Sequence, residues 1–150
     1  ITDKADTALY GRVTYELMQS YWPTAADKPN ATKHDKEHAA WYKNVSKVVL
    51  STTLKQEGLE NTTIISSQLK ENITALKNRE GKNILIFGSL AASYSLLDQD
   101  LIDEFWIFVN PALLGQGKPL FKNIHQLTKL KLMESRLFTC GVIALHYTRI

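Results

Sequence analysis

Three short segments of this chain carry residue types and spacings suited to holding a phosphorylated ligand. The first is Ile84-Leu85-Ile86-Phe87 running into Gly88-Ser89, after which Leu90, Tyr94 and Leu97 fall on one helical face. A strand ending in a small-residue turn that opens a helix presents unpaired backbone N–H groups, and Gly88, Ser89, Leu90 and Ala91 are the candidate residues of such a site here. Together with the positive end of the helix dipole they make an anion site suited to phosphate or pyrophosphate. Alone, such a turn is equally a glycine used only for its backbone freedom.

The second segment is Gly11-Arg12-Val13-Thr14-Tyr15-Glu16, another strand-glycine-helix junction, in which Arg12 adds a guanidinium matched to phosphate oxygens. The third is Leu50-Ser51-Thr52-Thr53-Leu54, whose hydroxyls lie just past a strand and by themselves read as turn chemistry. A rival motif, His34-Asp35-Lys36-Glu37-His38, satisfies H-x-x-E-H, the pattern of inverted zinc peptidases with Glu37 as general base. It sits in a polar segment where a solvated helix face is the better account, so no metal ligand is assigned.

The elements that must position these residues alternate along the chain. Thr7 to Tyr10 is a short strand, and Val13, Leu17 and Tyr21 mark one face of the helix after it. Tyr21-Trp22-Pro23 is expected to end that helix, because proline disfavours helix in the residue before it. Thr24 to Lys36 reads as a loop, His34 to Lys43 as a polar helix, Val45 to Ser51 and Thr62 to Ile65 as strands. Leu69, Ile73 and Leu76 lie on one face of a helix ending near Gly81. Phe105 to Val109 is a strand, Pro111 to Phe121 a turn-rich loop, and Leu127 to Phe138 with Val142 to Ile150 a hairpin turning at Cys140-Gly141. Trp22, Trp41 and Trp106 read as core or interface anchors.

Strands alternating with helices over the first two thirds argue for a mainly parallel sheet with helices on both faces. The terminal hairpin adds antiparallel pairing. At 150 residues the chain fits one domain, residues 1–150, and its net charge of +3 with scattered lysines points to neither a nucleic-acid surface nor a membrane face. No apolar run approaches bilayer length. The single cysteine, Cys140, rules out an intrachain disulfide and fits a reduced, cytoplasmic setting.

The combination of strand-Gly-Ser-helix, then Leu101-Ile102-Asp103-Glu104, a strand, and Pro111-x-x-Leu114-Gly115-x-Gly117-x-Pro119-Leu120-Phe121 resembles the dihydrofolate reductase-like family, in the branch similar to the reductase domain of riboflavin biosynthesis. The resemblance implies a dihydrofolate reductase-like three-layer α/β sandwich, with a mixed, mainly parallel sheet and an antiparallel C-terminal hairpin. It also implies NADPH as cofactor and hydride transfer to a small pterin- or pyrimidine-type substrate. The Gly11 to Thr14 and Gly88 to Ala91 segments would grip the pyrophosphate, and Ser51, Thr52 and Thr53 the ribose 2′-phosphate. Members of the family are often homodimers, so a homodimer is among the expectations. The resemblance implies a first strand and an acid on it ahead of the Gly-Arg motif, and that strand is expected to lie upstream of Ile1, which leaves the catalytic residue unassigned. The competing expectations are a nucleotide-binding domain without catalysis, and the zinc metallopeptidase.

Overall fold

The computed structural model describes residues 1–122, 124 and 127–150. After a 3-10 turn at Thr2–Lys4 come β1 (Ala5–Gly11), α1 (Arg12–Ala25), α2 (Lys33–Asn44), β2 (Ser46–Leu50), β3 (Thr62–Ile65), α3 (Leu69–Lys77), β4 (Asn83–Ile86), α4 (Leu90–Leu97), β5 (Glu104–Val109), β6 (Leu130–Leu137) and β7 (Ile143–Arg149). The architecture is mixed α/β, and the chain divides into two compact units, Ile1–Ala92 and Ser93–Ile150. Parallel and antiparallel pairings occupy separate sheets, one in each unit.

The first unit is built on a parallel sheet of order β3-β2-β1-β4. Ala8, Leu9, Tyr10 and Val49 are wholly buried, so both faces of the central strands are covered, as continuous apolar runs in a parallel sheet require. On one face Ala8, Tyr10 and Val49 pack with Tyr15 of α1 and Tyr42 of α2. On the other, Thr7, Val48, Thr63 and Ile84 line a cavity of about 590 Å³ with Asn72 and Leu76 of α3.

Two expectations about α1 are corrected. Pro23 does not stop the helix but lies inside its last turn. The penalty for an internal proline is about 3 kcal/mol. Burial of Ala25 and packing of Trp22 against the core offset it. The loop expected from Thr24 to Lys36 shrinks accordingly to residues 26–32. Its far end is set by a capping box, in which Thr32 Oγ1 accepts from Asp35 N–H at 3.1 Å and Asp35 Oδ2 accepts from Thr32 N–H at 2.8 Å. The Thr32 hydroxyl and amide hold the Asp35 carboxyl below its ordinary pKa.

The stripe that marks α1 as a helix is also not the one it buries. Val13 and Leu17 are 69% and 66% exposed, whereas Tyr15 is buried and Met18 and Trp22 pack on the core. In α4 the same holds, since Ala92 and Leu96 are the buried positions rather than Leu90, Tyr94 and Leu97.

The second unit is an antiparallel sheet of order β5-β7-β6. β6 and β7 meet at the expected turn, where Gly141 has φ +85° and Phe138 N–H donates to Val142 O at 2.8 Å. Trp106 and His146, directly opposite in register, stack at 4.3 Å, and His146 Nε2 lies 2.9 Å from Glu104 Oε2.

Candidate functional site

Parallel register brings the three anion-binding candidates together. Gly11 pairs with Leu50, and Leu9 with Ile86, so the chain leaves β2 into Ser51-Thr52-Thr53, β1 into Arg12 and β4 into Gly88-Ser89 at one end of the sheet. Neighbouring strands lie about 4.8 Å apart, so the central Gly11 turn has Ser51 on one side and Ser89 on the other. This is the carboxyl end of the strands, where parallel α/β sheets hold their ligands.

Gly11 is the N-cap of α1 and, having no side chain, leaves the first-turn amides of Arg12, Val13 and Thr14 uncapped. Neither α1 nor α4 has an acidic residue in its first turn to neutralise the dipole. The two glycine turns are tied to each other, because Gly11 N–H donates to buried Ser89 Oγ at 2.8 Å. A Cβ on Gly11 would meet that oxygen at 3.0 Å and the Ala92 Cβ at 3.8 Å, so glycine here permits close approach of β1 to the start of α4. Gly88 has φ +49°, and a Cβ built on it meets nothing within 4 Å, which leaves open space above the turn.

Two of the expected ligand groups are engaged within the protein. Arg12 Nη1 donates to both carboxylate oxygens of Glu16 at 2.8 and 2.9 Å, an exposed pair one helical turn apart. The signal for it, Arg and Glu at i and i+4, stood in the sequence. Ser51 Oγ accepts from Leu54 N–H at 2.9 Å and Thr53 N–H at 3.2 Å, so it shapes the turn that presents the exposed Thr52 and Thr53. The donor set of uncapped amides, a guanidinium and exposed hydroxyls suits a phosphorylated dinucleotide.

Behind the turns lies an aromatic cluster that periodicity gave no means of finding. Tyr10, the residue before Gly11, stacks on Phe87, the residue before Gly88, at 6.4 Å and 21°. Phe87 meets the edges of Trp41 at 5.5 Å and His38 at 5.8 Å, and His38 lies 4.0 Å from Trp22. The Tyr10 hydroxyl is buried without a hydrogen-bond partner, and burial pushes its pKa well above the ordinary phenol value. Burial also lowers His38, helped by the neighbouring His34. The rings of the H-x-x-E-H motif are thus taken up in packing, while Glu37 pairs with Lys33 at 3.6 Å on the solvent side. Among the described residues no three His, Cys, Asp or Glu side chains group as metal ligands.

Asp103 and Glu104 stand at the start of β5, where Asp103 O accepts from Arg149 N–H and Glu104 meets His146. No helix among the described residues is long and apolar enough to cross a membrane.

Known proteins share this fold. The uncharacterized protein YyaP of Bacillus subtilis is 32% identical over 146 residues, 97% of this chain and 74% of that one. A crystal structure of a protein ascribed to riboflavin biosynthesis in Shewanella sp. PV-4 superposes with a TM-score of 0.73 at 24% identity, covering 99% of this chain and 76% of that one. A pyrimidine reductase-like protein of Corynebacterium diphtheriae follows with a TM-score of 0.61 at 16% identity, covering 97% and 76%. The family model of the RibD C-terminal domain matches residues 1–144, and the chain belongs to that family.

Proposed function

We propose that this domain is an NADPH-dependent reductase acting on a small heterocyclic substrate of pterin or pyrimidine type, in a cytoplasmic setting. The observation that supports it most is the convergence of three phosphate-compatible turns at the carboxyl ends of three adjacent parallel strands, with the uncapped N-terminus of α1 among them. The backbone amides of Arg12 to Thr14 and of Gly88 to Ala91 would hold the pyrophosphate. Thr52 and Thr53, presented by Ser51, would take the 2′-phosphate. Arg12 would exchange Glu16 for a phosphate oxygen, a charge-assisted bond in either state. The bound cofactor supplies the hydride, and the chain's task is to bind, orient and exclude water. Titration with NADPH should quench tryptophan fluorescence and raise the melting temperature, and a pterin and pyrimidine panel should reveal NADPH oxidation. Absence of any binding overturns the proposal.

One observation favours a second reading, a nucleotide-binding domain without catalysis. The carboxylate nearest these turns in sequence, Glu16, is bound to Arg12 and so is not poised as a proton donor. Binding without oxidation across the whole panel would select that reading.

We also propose that the domain pairs with a second copy through the sheet of the second unit. Register sets Val109, Ile143 and Leu137 side by side across its three strands, 48%, 39% and 71% exposed. Phe105, Tyr147 and Leu132 form a parallel row on the same face. A contiguous apolar face of this kind marks an interaction surface in a soluble protein, and a standard interface needs about 800 Å² from each partner. Sedimentation should give a dimer, and Leu137→Glu a monomer. A monomeric wild-type protein at high concentration overturns the pairing.

A further inference from the structure

We propose that His38 is a proton-operated lever on the paired glycine turns, so that acidification loosens the nucleotide site from behind. The proposal rests on the nucleotide-site reading for its consequence, and on the aromatic cluster alone for its mechanism.

His38 stands at the meeting point of three elements. α1 presents Trp22 at 4.0 Å, with its indole N–H directed to Met18 Sδ. α2 presents Trp41 at 5.2 Å and His34 at 5.7 Å. The end of β4 presents Phe87 at 5.8 Å, edge-on. The titratable group facing His38 is therefore His34 on its own helix, since Trp22 and Phe87 from the other two elements carry no charge. Tyr10 lies one ring further, stacked behind Phe87, with its phenol neutral throughout the range concerned. On the same helix Lys33 pairs with Glu37 at 3.6 Å, and the Asp35 carboxylate is taken up at the Thr32 cap.

A neutral imidazole is compatible with this half-buried ring cluster. An imidazolium loses hydration there and meets a second histidine one turn away, with no carboxylate among the packed rings to compensate. Attraction to the indole face of Trp22 works the other way. The burial and the His34 neighbour outweigh it, and the histidine titrates below its ordinary value. Protonation is relieved by turning the ring outward from Phe87. Phe87 and Tyr10 are covalently next to Gly88 and Gly11, and those turns are joined by the hydrogen bond from Gly11 N–H to Ser89 Oγ. Movement of Phe87 is thus passed directly to the phosphate-facing backbone.

Two measurements on the full chain test this. In the first, without ligand, intrinsic fluorescence is followed through acid titration in a Trp106→Phe background, because an imidazolium beside an indole quenches it and His146 stacks on Trp106. With His38 in place this protein should show a transition with a midpoint below 6.5. His38→Gln should lose the transition, and His34→Gln should move its midpoint upward. In the second, NADP+, which survives acid, is titrated into wild type and His38→Gln. Its own phosphate titration is common to both, so a wild-type affinity that falls about threefold more than the variant's between about pH 7.5 and about pH 5.5 supports the lever. A fluorescence transition that persists in His38→Gln, or a midpoint at or above 6.5, overturns the mechanism. Equal pH dependence of binding in both proteins overturns the coupling. No binding at any pH overturns the nucleotide-site reading instead, while leaving the fluorescence result to decide the histidine.

Discussion

The two units use their sheets in opposite ways. In the parallel sheet of the first unit, Ala8, Leu9, Tyr10, Val48 and Val49 are all buried, and α1 and α2 cover one face while α3 stands over the other. In the antiparallel sheet of the second unit, Ala144 is the one strand residue that is buried among the described residues, and β6 is exposed along nearly its whole length. Helices sheath the first sheet, and that difference teaches where precision resides. A closed core fixes strand ends to within the tolerance that a ligand site needs. An apolar sheet left open is a surface awaiting a partner.

The most forceful way to break this contrast is to truncate matched leucines. Leu9→Ala, at a wholly buried site, should cost about 3 kcal/mol of stability by denaturant unfolding, whereas Leu137→Ala should cost below about 0.5 kcal/mol under conditions where the protein is monomeric. Equal losses would dissolve the distinction. Next in size is Ser89→Ala, which leaves the Gly11 N–H without its acceptor in a part-buried setting and should cost about 1 kcal/mol, with weakened NADPH binding. A neutral result would mean that the two turns do not depend on that bond.

Arg12→Ala separates binding from stability within the first unit. Loss of the exposed pair with Glu16 should lower stability by about 0.4 kcal/mol. NADPH affinity should fall about tenfold if the guanidinium moves to a phosphate. A change in stability alone would leave Arg12 as a helix-surface residue.

The smallest expected effects are in pH dependence, where two groups act with the same sign in separate windows. His38 has a folded pKa below 6.5, so its contribution to stability is complete above 6.5 and is lost as pH falls through the range below it. His38→Gln should remove that loss. Asp6 is lowered from 3.8 by the Lys82 N–H donating to it at 2.7 Å and by the Thr7 hydroxyl, so its contribution is present above 3.8 and disappears on further acidification. Asp6→Asn should flatten the lower window and leave the upper one intact.

Much of the fold was legible because it depends on local chemistry. The Thr62 to Ile65 strand, the Gly88 turn and the Cys140-Gly141 hairpin stand where the pattern puts them. Proline at position 23 misled because a local penalty was outweighed by packing of Trp22 on the core and burial of Ala25, whose partners no window around Pro23 contains. The candidate turns were legible as motifs, and so was the Arg12–Glu16 pair, since i and i+4 on a helix need no tertiary contact. The link from Ser89 to Gly11, between residues 78 apart, was not.

What the sequence alone determined, then, is which segments are strands and helices and which residue types stand at strand ends, because propensity, turn chemistry and periodicity act over a few residues. Tertiary structure decided the rest. It chose Tyr15, Met18 and Trp22 over Val13 and Leu17 as the inward face of α1, gathered His38 and Phe87 behind the glycine turns, and left the Val109–Ile143–Leu137 row uncovered. Burial depends on which elements meet, and that is set by strand register, parallel in one sheet and antiparallel in the other.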